Sequence, residues 1–307
     1  MPLELMQFQK EVCSGVVARF ENVRLLYDSL READPQMLDA ARKRDGAVVM
    51  QAPTGAGKTL IAAEVLARLA TRDRVLWFWF APFAGLIEQA RKVLAAQVPE
   101  LTLFDTQNDR SVDTVRDGGV FVTTWASVAT RRKSSRRART TGDAGLALDA
   151  LVQLAREEGM RIGCVVDEAH HGFHRSTEAR RFFTEVLAPD YTLMMTATPR
   201  DSDVAAFADK TGWEVGEPAD WASVSRIDAV DAGLLKRGVR MVRFLARDGD
   251  TAQLIDYEHL ALRECADTHR NIQTLLDKAG VALTPLMLVQ VPDGKKAQED
   301  VRRHLIE

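Results

Sequence analysis

The chain has no apolar run long enough to cross a bilayer, and Met1 is not followed by a charged-then-apolar secretory segment. Membrane-spanning and exported classes are therefore set aside. Cysteine is scarce: Cys13, Cys164 and Cys265 are scattered and odd in number along 307 residues. A disulfide framework is not expected, and a reduced, cytoplasmic setting is. Neither sign of charge dominates, with 41 Lys and Arg against 44 Asp and Glu and a net charge of -3. Contact with a polyanion must then come from a local patch. No internal repeat is present, which excludes repeat architectures. What remains is an ordinary globular composition, 46% hydrophobic and 28% charged. The length leaves room for two domains.

Two short strings carry chemistry. Ala52 to Thr59 reads A-P-T-G-A-G-K-T, after the apolar run Ala47-Val48-Val49-Met50 and before the helix-forming stretch Leu60 to Leu66. Strand, loop of small residues and helix start are what a phosphate-binding loop requires. The backbone of Pro53, Thr54, Gly55, Ala56 and Gly57 is free to curl around phosphates, and the helix N-terminus adds favourable partial charge. Lys58 is placed to reach the β- and γ-phosphates of ATP, and the Thr59 hydroxyl to reach Mg2+. Far downstream, Asp167 to His170 reads D-E-A-H after the apolar run Ile162 to Val166. Asp167 is the expected magnesium carboxylate, and Glu168 the group that orients or deprotonates the attacking water. Both strings fall at the carboxyl ends of strands, where ligands sit in open α/β sheets.

Apolar strands and amphipathic helices alternate through most of the chain. A long helix is expected over residues 7–30 and a shorter one ending at Arg44. Strands are expected at 47–50, 75–80, 101–104, 120–123, 162–166 and 191–195, with helices between them. This rhythm predicts an α/β, doubly wound parallel sheet. Residues 212–238 break it and read as a link. Beyond lie an expected strand at 239–245, a helix over 251–278, a strand at 286–290 and a helix starting near Lys295. Two strands do not bury both faces of a parallel sheet, so this second domain is expected to be incomplete. The expected organisation is a helical segment at 1–45, an ATP-binding domain with its exit link at 46–238, and the start of a second domain at 239–307.

With these marks the chain resembles superfamily 2 DEAD/DEAH-box helicases and translocases, within them the group of the helicase (Res) subunit of type III restriction enzymes. Leu5 to Gln9 is similar to the segment that reads adenine, which makes Gln9 the implied adenine contact. Ala52 to Thr59 stands as motif I. Ala81 to Gln89 lies where motif Ia does, with Phe83 at a position where Thr is common, and Val122 to Ser127 is similar to motif Ib. The resemblance puts Pro82, Phe83, Gln89, Thr123, Thr124 and Trp125 against nucleic acid. D-E-A-H is motif II, Thr196-Ala197-Thr198-Pro199 is motif III, and His170 is the implied hydrogen-bonded bridge between them. Val224 to Leu235 looks like the exit from a first RecA-like domain, and Leu286 to Val291 like the motif IV strand. Motifs V and VI, with the arginines that complete the ATP site, have no counterpart before Glu307. The resemblance implies an ATP- and Mg2+-dependent DNA helicase or translocase, weakly active at this length. RNA helicase, or a nucleotide-gated binding module without turnover, stand as alternatives. A nuclease or methyltransferase subunit is the implied protein partner.

Other features have two readings each. The hydroxyls of Thr196 and Thr198 either couple γ-phosphate state to domain movement or form a strand-end turn. His170, His171 and His174 lack the cysteine partners of a zinc site. Arg131, Arg132, Lys133, Arg136, Arg137 and Arg139 form a basic run that either grips phosphates or is a solvated loop. No aromatic residue interleaves it, so it is not a base-stacking platform. Trp77 and Trp79 belong to an apolar strand and are expected in the core.

Overall fold

In a computed structural model of the chain, the alternating pattern closes into one parallel sheet of seven strands. The residues described are 3–106, 108–129, 145–199, 201–237, 257–287, 289, 298–299 and 301–302. The chain forms two units, Met1–Arg237 and Gly238–Glu307.

The first unit opens with helices α1 (Gln7–Ala33) and α2 (Leu38–Asp45), followed by β1 (Ala47–Gln51) and α3 (Lys58–Ala70). Next come β2 (Val75–Ala81), α4 (Ala84–Gln97), β3 (Thr102–Phe104), β4 (Gly119–Thr124) and the short α5 (Trp125–Ala129). After α6 (Leu148–Glu157) and β5 (Arg161–Val166), α7 (Thr177–Arg181) runs into a π-helical turn at Phe182–Leu187. The unit closes with β6 (Tyr191–Thr196), α8 (Asp201–Thr211), β7 (Ala222–Ser223) and α9 (Arg226–Asp231).

The strands lie in the order β3-β4-β2-β5-β6-β1-β7. Successive side chains of a strand face opposite sides of its sheet, and β2 shows what that does here. Trp77 and Trp79 enter the layer under α1, α3 and α4, while Phe78 and Phe80 enter the layer under α6 and α7. All four are fully buried, so this strand has no polar face. Both tryptophans are core residues, as expected from the sequence. The doubly wound α/β architecture is as expected too.

The stretch 212–238 is more than a link. Ala222 and Ser223 pair in parallel with Met50 and Gln51, adding a seventh strand beside the phosphate-loop strand. Two residues of pairing leave no periodic pattern for a sequence to display. In the second unit, α10 (Tyr257–Lys278) occupies most of the expected helix. Residues 281–287 form no strand: Leu286 is exposed, and the Pro285 carbonyl accepts a hydrogen bond from His269 Nε2 at 2.8 Å. Among the described residues no strand lies beside this segment to satisfy its backbone, as a ladder requires. The expected strand at 239–245 lies outside the described residues. No helix among the described residues is long and apolar enough to cross a membrane.

Candidate active site and nucleic-acid face

The two chemistry-bearing strings stand far apart in sequence, but their strands β1 and β5 both flank β6. Motif III, at the end of β6, therefore sits between the phosphate loop and D-E-A-H. The Ala52 N–H donates to the Thr196 carbonyl at 3.0 Å, tying the loop's first residue to that strand end.

The loop needs its glycines. Gly55 and Gly57 have φ of 89 and 90, where a side chain is strained. A Cβ on Gly57 would also meet Gln9 Nε2 at 2.4 Å. Gln9 is buried, donating from Nε2 to the Ala56 carbonyl and accepting the Met6 N–H at Oε1, both at 2.9 Å. Gln9 thus braces the loop, with one amide hydrogen and one lone pair left over among the described residues. Leu235, in the segment after α9, packs on the other side: a Cβ on Gly55 would meet its Cδ2 at 3.0 Å. Pairwise sequence motifs give no signal of this contact.

Lys58 opens α3 and is buried, its ammonium 3.4 Å from the Ala52 carbonyl and 3.7 Å from Glu168 Oε1. Asp167 follows β5 and is also buried. Burial pushes its carboxyl up to about 6, with the Glu168 charge adding to the rise and the Glu168 N–H and Lys58 opposing it. That N–H donates to Asp167 Oδ1 at 2.9 Å. Glu168 itself sits at φ 48, a left-handed conformation uncommon for a residue with a side chain. Its Oε2 lies 3.3 Å from His170 Nδ1, which is also 3.2 Å from Thr196 Oγ1. Burial, ahead of the neighbouring charges, holds His170 below the usual histidine range. Thr196 is buried and its hydroxyl accepts the Thr198 N–H at 3.2 Å, while Thr198 itself is exposed. Thr59 lies in the first turn of α3 and is half-buried.

The residues fit a nucleotide with a hard cation. Asp167 and Thr59 offer only oxygen donors, which suit magnesium. Asp167 is a buried carboxyl that a bound cation would hold in its charged form.

On the other side of β5, a cleft of about 180 Å³ is lined by Pro82, Trp125, Asp167, Glu168, His171 and Phe173 among others. Phe83 and Gln89 are exposed on α4 and the turn before it, and Thr124 is half-buried. Two of the residues expected against nucleic acid, Trp125 and Thr123, are buried. Trp125 is stacked between Phe80 and Phe173, with ring centroids 4.1 and 3.9 Å away, leaving at most an edge along the cleft. Its indole is drawn into the aromatic layer because burying so large a ring outweighs presenting it to solvent. Thr123 is buried, its hydroxyl 2.9 Å from those of both Thr106 and Ser127. Arg131, Arg132 and Arg136 lie outside the described residues. Among the described residues no group of histidine, cysteine and acidic side chains is arranged to hold a metal by itself.

Residues 2–201 match the family described as type III restriction enzyme, res subunit. No curated protein matches the chain. Among solved structures it is similar to the Sulfolobus solfataricus SWI2/SNF2 ATPase core in complex with dsDNA, with 16% identity, 66% of this chain and 34% of that one covered, and a TM-score of 0.42. It is also similar to the Pyrococcus furiosus Hef helicase domain, with 16% identity, 87% and 51% covered, and a TM-score of 0.39. The ATP-dependent type ISP restriction-modification enzyme LlaBIII bound to DNA shares 15% identity, with 70% and 15% covered and a TM-score of 0.39. The chain thus spans between 15% and 51% of the length of these three.

Proposed function

This chain belongs to the family of the type III restriction enzyme res subunit, and from that premise we propose that it is the ATP-hydrolysing motor module of a DNA helicase or translocase. The observation that supports this most is the convergence of Lys58, Asp167, Glu168 and Thr196 on one sheet edge, with Lys58 Nζ 3.7 Å from Glu168 Oε1.

In this reading the loop from Pro53 to Gly57 wraps the phosphates with its backbone N–H groups, at the positive end of α3. Lys58 leaves Glu168 and neutralises the β- and γ-phosphate oxygens. Thr59 and Asp167 would hold Mg2+, which when bound supplies charge stabilisation on the phosphate oxygens. Glu168 accepts the proton of the attacking water as the γ-phosphorus–oxygen bond to ADP breaks. His170 holds Glu168 and Thr196 together, so that hydrolysis changes a contact between motifs II and III. Gln9, with its remaining donor and acceptor, contacts the adenine edge. Pro82, Phe83, Gln89 and Thr124 face the DNA, joined by the basic run Arg131, Arg132 and Arg136. A nuclease or methyltransferase subunit is the partner this module serves.

The test is ATP hydrolysis with and without single-stranded DNA, for the parent and for Lys58→Ala. Removing the charge facing the phosphates should weaken ATP binding by about tenfold or more, the scale of a lost charge-assisted contact. Unchanged ATP affinity in a folded Lys58→Ala variant would refute the site. Competition between DNA and RNA of equal length decides the substrate; preference for RNA would replace the DNA reading.

A further inference from the structure

Phe83 is 57% exposed at the carboxyl edge of the sheet, two residues beyond the end of a strand whose seven residues are all buried. One side of this ring is engaged. It meets His171 edge to face, with centroids 5.0 Å apart and planes at 84°. His171 lies 4.5 Å from the ring of His170. His170 in turn is 3.3 Å from Glu168 Oε2 and 3.2 Å from Thr196 Oγ1. A continuous row of rings therefore runs from solvent at motif Ia to the carboxylate at motif II. Glu168 is a natural end point, since its two oxygens face different partners, Lys58 and His170. A small shift at His170 redistributes the carboxylate between them.

We propose that Phe83 and His171 are positioning residues, through which a nucleic-acid base stacked on the open face of Phe83 sets His170 and hence Glu168. This rests on the reading of the chain as a DNA-responsive ATPase. An aromatic face accepts any base, because every base has a π-face. The strand then favours one arrangement of the ring row by its differential contact with it, which is what coupling between two sites requires. Phosphate contacts alone would bind the strand without reaching the carboxylate.

The test is the ATPase rate of the whole protein titrated with single-stranded oligothymidylate. In His171→Ala the maximal stimulated rate should fall by about fivefold or more, the low end of typical coupling between two sites, with the half-saturating DNA concentration unchanged. His171→Phe keeps the ring contact and should retain most of the stimulation. Phe83→Ala should raise the half-saturating concentration and lower the maximum, and Phe83→Tyr should restore both. A His171→Ala variant that reaches the parent maximum overturns the relay, as does a His171→Phe variant as poor as the alanine. A parent whose hydrolysis ignores DNA overturns the underlying functional reading instead.

Discussion

Glu168 holds its φ of 48 at a cost on the order of 1 kcal/mol or more for a residue with a side chain. Such conformations persist where surrounding contacts over-determine them, and here Asp167, Lys58 and His170 supply those contacts. Glu168→Gln keeps the shape but accepts no proton. ATP hydrolysis should fall by about a hundredfold or more, while magnesium-dependent ATP binding, measured by calorimetry, stays near the parent value. Parent-like turnover would remove Glu168 from the role of base. His174, four residues beyond His170, presents a different case. It is buried against Phe173 and Phe207, and neither ring nitrogen has a hydrogen-bond partner among the described residues. Burial, aided by the charges of Lys210 and Arg175 against that of Asp203, pulls its imidazole down to about 4. An unfolded histidine takes up its proton near pH 6.5. Between about pH 6.5 and about pH 4 the unfolded chain thus binds a proton that the folded chain refuses, so stability falls as pH drops through that window. In His174→Phe the drop in urea midpoint between about pH 7.5 and about pH 5 should shrink. An unchanged drop would assign the acid sensitivity to other groups.

At the scale of elements, the contact between β2 and β5 depends on one missing side chain. Gly163 on β5 pairs with Trp77 on β2, and a Cβ there would meet the indole at 2.2 Å. The ring lies over the bare backbone, and it also stacks toward Tyr191 of β6, with centroids 6.3 Å apart. Gly163→Ala must push the indole out of a packed layer, which costs about 1–3 kcal/mol. The expected readout is a lower urea midpoint with an unchanged slope, and an equally stable variant would show that this layer has slack. The same glycine explains a limit of sequence reading. It interrupts the apolar run Ile162 to Val166, and only the neighbouring indole reveals why. β2 was legible as a continuous apolar run, and α1 because many residues repeat one period. β7 was not, since two residues have no period and its pairing with Met50 and Gln51 is decided across some 170 positions of chain.

Across the whole molecule, every residue proposed to bind or hydrolyse ATP lies within Met1–Arg237. That unit also carries its own buried charge network at the opposite end of the sheet. Arg161 is buried against Asp28 and Asp73, with Nε 2.7 Å from Asp73, and the Tyr191 hydroxyl donates to the same carboxylate at 2.5 Å. Residues 1–237 alone should therefore fold and bind ATP–magnesium with a Kd within about threefold of the whole chain, under 1 kcal/mol of difference. Loss of binding in a folded 1–237 fragment would mean that the second unit completes the nucleotide site.

The sequence by itself determined the alternation of strands and helices, and so a doubly wound parallel sheet, because a buried strand must be apolar and a loop around phosphate must be small. It also marked the residues proposed to carry chemistry, since a lysine, a threonine and two carboxylates at strand ends have few other uses in that spacing. Tertiary structure alone decided which of them meet. The strand order places β6 between β1 and β5, so Thr196 and His170 stand between the phosphate loop and Glu168. It likewise turned Trp125 and Thr123 inward, seated Gln9 and Leu235 against the phosphate loop, and left Phe83 in solvent beside His171. These are contacts between residues distant in the chain. They follow from how layers pack, and a one-dimensional pattern holds no record of which surface another segment will cover.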